Sequence, residues 1–336
     1  VKQAQNYFIQ ARTLAKYNKA LNAQNSLWLG ECAFRNGNYE EAAMYQNDYL
    51  KAVNSTENNY ALGYYNLGYS RFQQRKYEAA RNAFNKALET SSLNENMRND
   101  AYNRIGDTYY YNSNFKTAES YYDKSAGDYS IYQKGIMLGL NKKHDAKVKK
   151  MQELIDNHPS SMLEQADAYV NMNNSKKAIT VYDNLITKYP DNIYARKAML
   201  NKAITERNSK NESSAIKTYK EVISKYPTSE EAIIALEDLK LIYADNGELT
   251  KLSQWIASVK NAPQLDVNDI DRLTFEAAEK AYMANNNDIA MMNEYLKEYP
   301  TGAYVASAEY YVARYNFNHN KGNEALALIE KLEDSN

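Results

Sequence analysis

One cysteine, five prolines and eleven glycines are spread over 336 residues. A lone Cys32 excludes an internal disulfide framework and a cysteine metal cluster. It fits a reducing cytosol and a periplasm equally. Few prolines and few glycines point to a mostly helical chain. Neither sign of charge dominates: 41 basic residues face 42 acidic ones, a formal net charge of -1. No global field therefore recruits nucleic acid or anionic lipid. No apolar run approaches the roughly 18 residues that span a bilayer. A Gly-rich phosphate loop and a Gly-x-Ser-x-Gly elbow are both missing. His144, His158 and His319 stand far apart, none with a second ligand at metal spacing. The expectation is a protein without metal, cofactor or catalytic residue.

What is present is repetition. Leu29-Gly30, Leu67-Gly68 and Ile105-Gly106 recur every 38 residues. Phe34, Phe72 and Tyr110 keep the same spacing, as do Tyr39, Tyr77 and Phe115. A chain that repeats in this way is an array of similar units, each lending an apolar face to the next. Tyrosine outnumbers phenylalanine 32 to 7. Such rings sit half-buried, with the body packed and the hydroxyl at water or a partner.

The clearest unit, 64–90, carries Leu67-Gly68, Tyr77, Ala80, Phe84 and Ala87. This order of large and small residues resembles the tetratricopeptide repeat, a pair of antiparallel helices A and B. Gly68 and Ala80 are small where the two helices cross, and Phe84 and Ala87 fill the contact to the next unit. Gln73 to Lys76 form the turn between the helices. The 38-residue spacing exceeds the usual period of about 34, and connectors 54–59 and 91–99 are expected to hold the excess. From about Ser130 the units end in His158-Pro159, Tyr189-Pro190, Tyr226-Pro227 and Tyr299-Pro300, each proline read as a helix stop. Gly135, Ala166 and Ala203 take the small slot there.

The resemblance implies an all-α, right-handed α–α superhelix of about nine helix pairs. Residues 1–22 are a partial repeat, 23–129 three regular repeats and 130–260 degenerate repeats. A linker at 261–269 precedes two further repeats over 270–336. Ala4, Phe8 and Ala11 occupy helix-B slots, so the chain is expected to open inside a repeat of a longer protein. Phe8 and Ala11 at one end, and Ile329 and Leu332 at the other, should then support weak self-association through uncapped ends. The Tyr-Pro style is similar to bacterial envelope members of the outer-membrane assembly lipoprotein and Tol–Pal coordinator type. That style favours a periplasm or cell-envelope location over the cytoplasm.

In the family, certain helix-A positions face a ligand groove. Carried over, they are Leu27, Glu31, Phe34 and Arg35; Tyr65, Tyr69, Phe72 and Gln73; and Asn103, Asp107, Tyr110 and Tyr111. The expected partner-binding residues are Phe34, Tyr65, Tyr69, Phe72, Tyr110 and Tyr111, with Phe34, Phe72 and Tyr110 as a ladder of rings that stops at Gly139, Val170 and Arg207. The partner is a protein or peptide, with no nucleic acid and no direct membrane insertion. An alternative is a structural subunit of an envelope assembly, docking by its ends or convex face. The carboxylate clamp of chaperone-binding members is rejected, because Glu31 and Asp100 stand among its positions Leu27, Glu31, Asn66, Asp100 and Arg104. Lys142, Lys143, Lys147, Lys149 and Lys150 are read as a solvated face.

Overall fold

The computed structural model describes residues 1–15, 17–284 and 288–334, and among these there are nineteen α-helices and no strand. They fall into two compact units, Val1–Met172 and Asn173–Asn336. The first holds α1 (Lys2–Leu14), α2 (Lys19–Arg35), α3 (Tyr39–Ala52), α4 (Tyr60–Gln73), α5 (Tyr77–Leu88), α6 (Glu95–Tyr111), α7 (Phe115–Tyr122), α8 (Asp128–Leu140), α9 (His144–Gln152) and α10 (Pro159–Asn171). The second holds α11 (Ser175–Lys188), α12 (Ile193–Asn208), α13 (Glu212–Lys225), α14 (Glu230–Asp245), α15 (Leu249–Ala257), α16 (Val267–Ala284), α17 (Ala290–Glu298), α18 (Val305–Asn318) and α19 (Gly322–Asp334). From α2 onward the chain alternates helix A with helix B. No described helix is long and apolar enough to cross a membrane.

Two residues set the A–B crossing in the pairs α2–α3, α4–α5 and α6–α7. At the small slot of helix A, a side chain would meet the residue sixteen positions later on helix B. A Cβ at Gly68 would stand 2.7 Å from the Phe84 ring, and one at Gly106 2.6 Å from Tyr122. At Gly30 it would stand 2.9 Å from Gln46 Cγ. Phe84, Tyr122 and Gln46 are fully buried, so the small residue and its large opposite fill one volume.

The turn follows seven residues after the small slot at Gly37, Arg75, Ser113 and Lys142 in the first unit and at Lys210 and Asn320 in the second, all with left-handed backbone; Gly247 is left-handed too, but Lys240 stands in its slot. The next residue then donates its N–H to a carbonyl five back: Lys76 to Arg71 at 2.9 Å, Asn114 to Tyr109 at 2.9 Å, Lys143 to Leu138 at 2.8 Å. This closes helix A in a Schellman motif. Helix starts are often capped by asparagine. Asn18, Asn94 and Asn114 accept from the backbone N–H of Leu21, Met97 and Thr117.

Three sequence expectations need correction. The connector expected over 91–99 is shorter, because Asn94 caps α6 and the helix begins at Glu95. Pro159 starts α10 rather than stopping α9, since proline suits the first helical turn. Pro190, Pro227 and Pro300 do follow helix ends. Lys147 is not on a solvated face: it is buried and bonds Glu164 at 2.5 Å. In the stretch 261–269, Ala262 and Leu265 pack into the core built on α12 to α16.

Candidate functional site

The A helices of the first unit bring the expected rings together in two groups. In the first, Phe34 on α2 meets Tyr69 on α4 edge-on at 6.3 Å, and Tyr69 meets Tyr65 at 5.2 Å. These three rings line a cleft of about 250 Å³ between α2 and α4, together with Glu31, Arg35 and Asn66. In the second group, Phe72 packs on Tyr111 at 6.1 Å, and Tyr111 on Tyr110 at 5.8 Å. Tyr111 is 59% exposed; the other five are half-buried.

The three equivalent rings do not run as a ladder. Each is clasped by the first ring of its own helix B: Phe34 by Tyr39 at 5.3 Å, Phe72 by Tyr77 at 5.8 Å, Tyr110 by Phe115 at 5.6 Å. The contact to the next helix A runs to Tyr69 and Tyr111 instead. The clasping rings were legible as repeat positions but not as site residues, because they lie on helix B.

Leu27, Asn103 and Asp107 are buried and do not face a groove. Leu27 packs with Ala23 and Tyr49. Asp107 anchors a polar network beneath the rings. It pairs with Arg104 at 2.6 Å and accepts from the hydroxyls of Tyr122 and Tyr129, each at 2.8 Å. Arg104 also lies 3.6 Å from Asp100 and sits over the Tyr129 ring. Asp100 accepts from the hydroxyls of Tyr65, at 2.7 Å, and Tyr69. The cleft therefore has a fixed wall, because the hydroxyls of Tyr65 and Tyr69 are held from α6.

Burial lifts the Asp107 carboxyl above the usual carboxylate range, while Arg104 and the two phenols pull it back. Burial, then the hydrogen bond to Asp100, raises the phenols of Tyr65 and Tyr69 well above their ordinary value. Burial and the Asp107 charge do the same for Tyr122 and Tyr129. Cys32 is buried and its thiol is raised chiefly by that burial.

Beyond α6 the slot of Phe34, Phe72 and Tyr110 changes character. Gly139, Val170 and Arg207 occupy it, and Arg207 pairs with Asp238 on α14 at 2.6 Å. On α18 the ring returns as Phe317, four residues after Ala313. That return was readable from the spacing alone.

Models of the tetratricopeptide repeat match residues 19–92, 65–130, 160–192 and 197–229, together more than half of the chain. No curated protein sequence matches. Among solved structures, the C-terminal part of a TPR repeat-containing protein from Cytophaga hutchinsonii is 19% identical with a TM-score of 0.58, over 70% of this chain and 93% of that one. The apo form of RapI is 14% identical with a TM-score of 0.53, over 84% of each chain. Both likenesses concern the fold. The periodic small residues, the helix pairs and the matched models agree, and the chain belongs to the tetratricopeptide repeat family.

Proposed function

We propose that this chain is a non-catalytic protein-interaction scaffold that binds a peptide or a partner segment against α2, α4 and α6. One observation carries the reading. The cleft between α2 and α4 is walled by Phe34, Tyr65 and Tyr69, whose positions are fixed from behind by Asp100 and by Tyr39. Rigid rings give contact area at low entropy cost, which suits an anchoring surface. Asn66 and the ends of Glu31 and Arg35 offer polar atoms at the rim, and Glu31 and Arg35 already pair at 2.6 Å. Tyr111, stacked on Tyr77 at 5.5 Å, extends the surface toward α6. Tetratricopeptide repeats serve as interaction scaffolds in general, which supports the same reading.

The test is panning of a random peptide display library on the whole chain. Selected peptides should lose at least tenfold in affinity, about 1.4 kcal/mol, with an Asn66→Ala, Tyr111→Ala variant whose melting temperature is unchanged. Peptides that bind this variant as well as the wild type contradict the assignment. A second reading, docking through a surface outside the cleft, draws on Tyr7 and Leu14 of α1, which are 62% and 88% exposed.

A further inference from the structure

The cleft between α2 and α4 has walls suited to a cation. The planes of Phe34 and Tyr69 stand 78° apart and those of Tyr65 and Tyr69 66° apart. Rings set at such angles offer faces as well as edges to the space beside them, and the face of a ring is its electron-rich side. Two of the three rings are enriched further. The hydroxyls of Tyr65, at 2.7 Å, and Tyr69 donate to the carboxylate of Asp100. A phenol that donates to an anion is polarised toward its ring, so the face draws a cation more strongly. Glu31 adds a carboxylate to the same cleft.

The neighbouring gap, between α6 and α8, contains the same parts with a cation in place. The guanidinium of Arg104 lies 4.6 Å from the centre of the Tyr129 ring and bonds Asp107 at 2.6 Å, while the Tyr129 hydroxyl donates to the same Asp107. Arg104 stands two residues before the small slot of α6; the same position on α4 is Asn66, short and uncharged. One position after the small slot stand Glu31 on α2, Tyr69 on α4 and Asp107 on α6, and six before it on the following helix A stand Leu62, Asp100 and Tyr129. Tyr69 is joined across to Asp100, and Asp107 to Tyr129. Glu31 has Leu62 at the matching position, a side chain with no donor. Its carboxylate holds Arg35 of its own helix at 2.6 Å, and that Arg35 side chain is 65% exposed. An exposed i,i+4 pair of this kind is weak enough for an incoming cation to displace. Resting on the scaffold reading of this cleft, we propose that it takes a basic side chain of the bound peptide, lysine or arginine, seated among Phe34, Tyr65 and Tyr69 with its charge on Glu31 in place of Arg35. An acidic side chain would meet Glu31 and Asp100 and would depend on Arg35 instead.

Fluorescence anisotropy with the panned peptides on the whole chain reads the result, the probes being those that Asn66→Ala, Tyr111→Ala weakens. Each should contain a lysine or arginine whose replacement by norleucine costs about tenfold in affinity. Glu31→Gln keeps the size of the side chain and removes its charge. It should weaken the basic peptide and leave the norleucine peptide unchanged, so that the two substitutions are coupled. Arg35→Gln removes the competing cation and should strengthen the basic peptide. Melting curves check that both variants stay folded, and the norleucine substitution reads the charge without altering the protein. Cleft-dependent peptides that have no basic residue, or that tolerate norleucine, overturn the proposal. So does Arg35→Gln weakening them, which would mark the cleft as a site for an acidic residue. Each of these results leaves the scaffold reading standing. Panning that yields no peptide dependent on Asn66 and Tyr111 contradicts that reading, and the proposal falls with it.

Discussion

The surface of α2–α7 and that of α12–α14 are built on the same frame with different chemistry. Both have a small residue on helix A, Gly68 or Ala203, and a large buried residue sixteen positions on, Phe84 or Tyr219. Both turn through left-handed backbone seven residues after the small slot, at Arg75 or Lys210. Four residues after the small slot, however, one has Phe72 clasped by Tyr77, and the other has Arg207 paired with Asp238. The frame therefore depends on the crossing and the turn, and the groove position is left free to be aromatic or ionic. A scaffold can change partner chemistry along its length without changing its fold.

The largest expected effect comes from breaking the frame itself. Gly68→Leu would drive a side chain into the Phe84 ring, already 2.7 Å from where a Cβ would sit. It should cost about 3 kcal/mol, the upper end of ordinary overpacking. Thermal or urea unfolding measures it, with Arg207→Leu on the ionic surface as the milder comparison. Equal losses in the two variants would mean that the frame and the groove position are not separable.

A second prediction concerns alkali. Tyr65, Tyr69, Tyr122 and Tyr129 have phenols raised above 10 on folding. The unfolded chain loses these protons near pH 10 while the folded chain keeps them. Their contribution to stability is thus complete below about pH 10 and is withdrawn as the pH rises toward the folded values. Ultraviolet titration should show these phenols ionising only together with loss of helix signal. Smooth ionisation of all tyrosines around pH 10 in a still-helical chain would show that the network under the rings is open to water.

The smallest effect should come from the turns. Arg75 sits at φ 57° and Gly37 at φ 81° in the same position. Arg75→Gly should stabilise by about 1 kcal/mol, since left-handed backbone is strained for a residue with a Cβ. Gly37→Ala should destabilise by a similar amount. Opposite signs in the two variants, read from melting curves, confirm that the left-handed turn is a shared element.

Much of the frame was legible before the structure. The 38-residue recurrence of Leu-Gly and Ile-Gly located α2, α4 and α6, because a small residue at a helix crossing leaves a periodic mark. The turn residues left no such mark. Only Gly37 and Gly247 advertise left-handed backbone, whereas Arg75, Ser113, Lys142, Lys210 and Asn320 adopt it under the pull of the Schellman bonds. The six candidate rings lie on α2, α4 and α6, but in two groups and not as the ladder expected from their spacing. Their partners were not foreseen, because Asp100 reaches Tyr65 from 35 residues away and Asp107 reaches Tyr129 from 22. Helical periodicity places a residue on a face; it does not say which neighbouring helix covers that face. Leu27, Asn103 and Asp107 were set on the groove by the positions carried over from the family, and they lie buried.

The most direct test of the scaffold reading is hydrogen–deuterium exchange of the chain with and without a peptide selected by panning. Binding at the ring-walled cleft predicts slowed exchange on α2, α4 and α6, with peptides from 24–35, 60–73 and 99–111 protected and α12–α14 unchanged. Protection confined to α12–α14, or to α18–α19, with α2 and α4 unaffected, would contradict it.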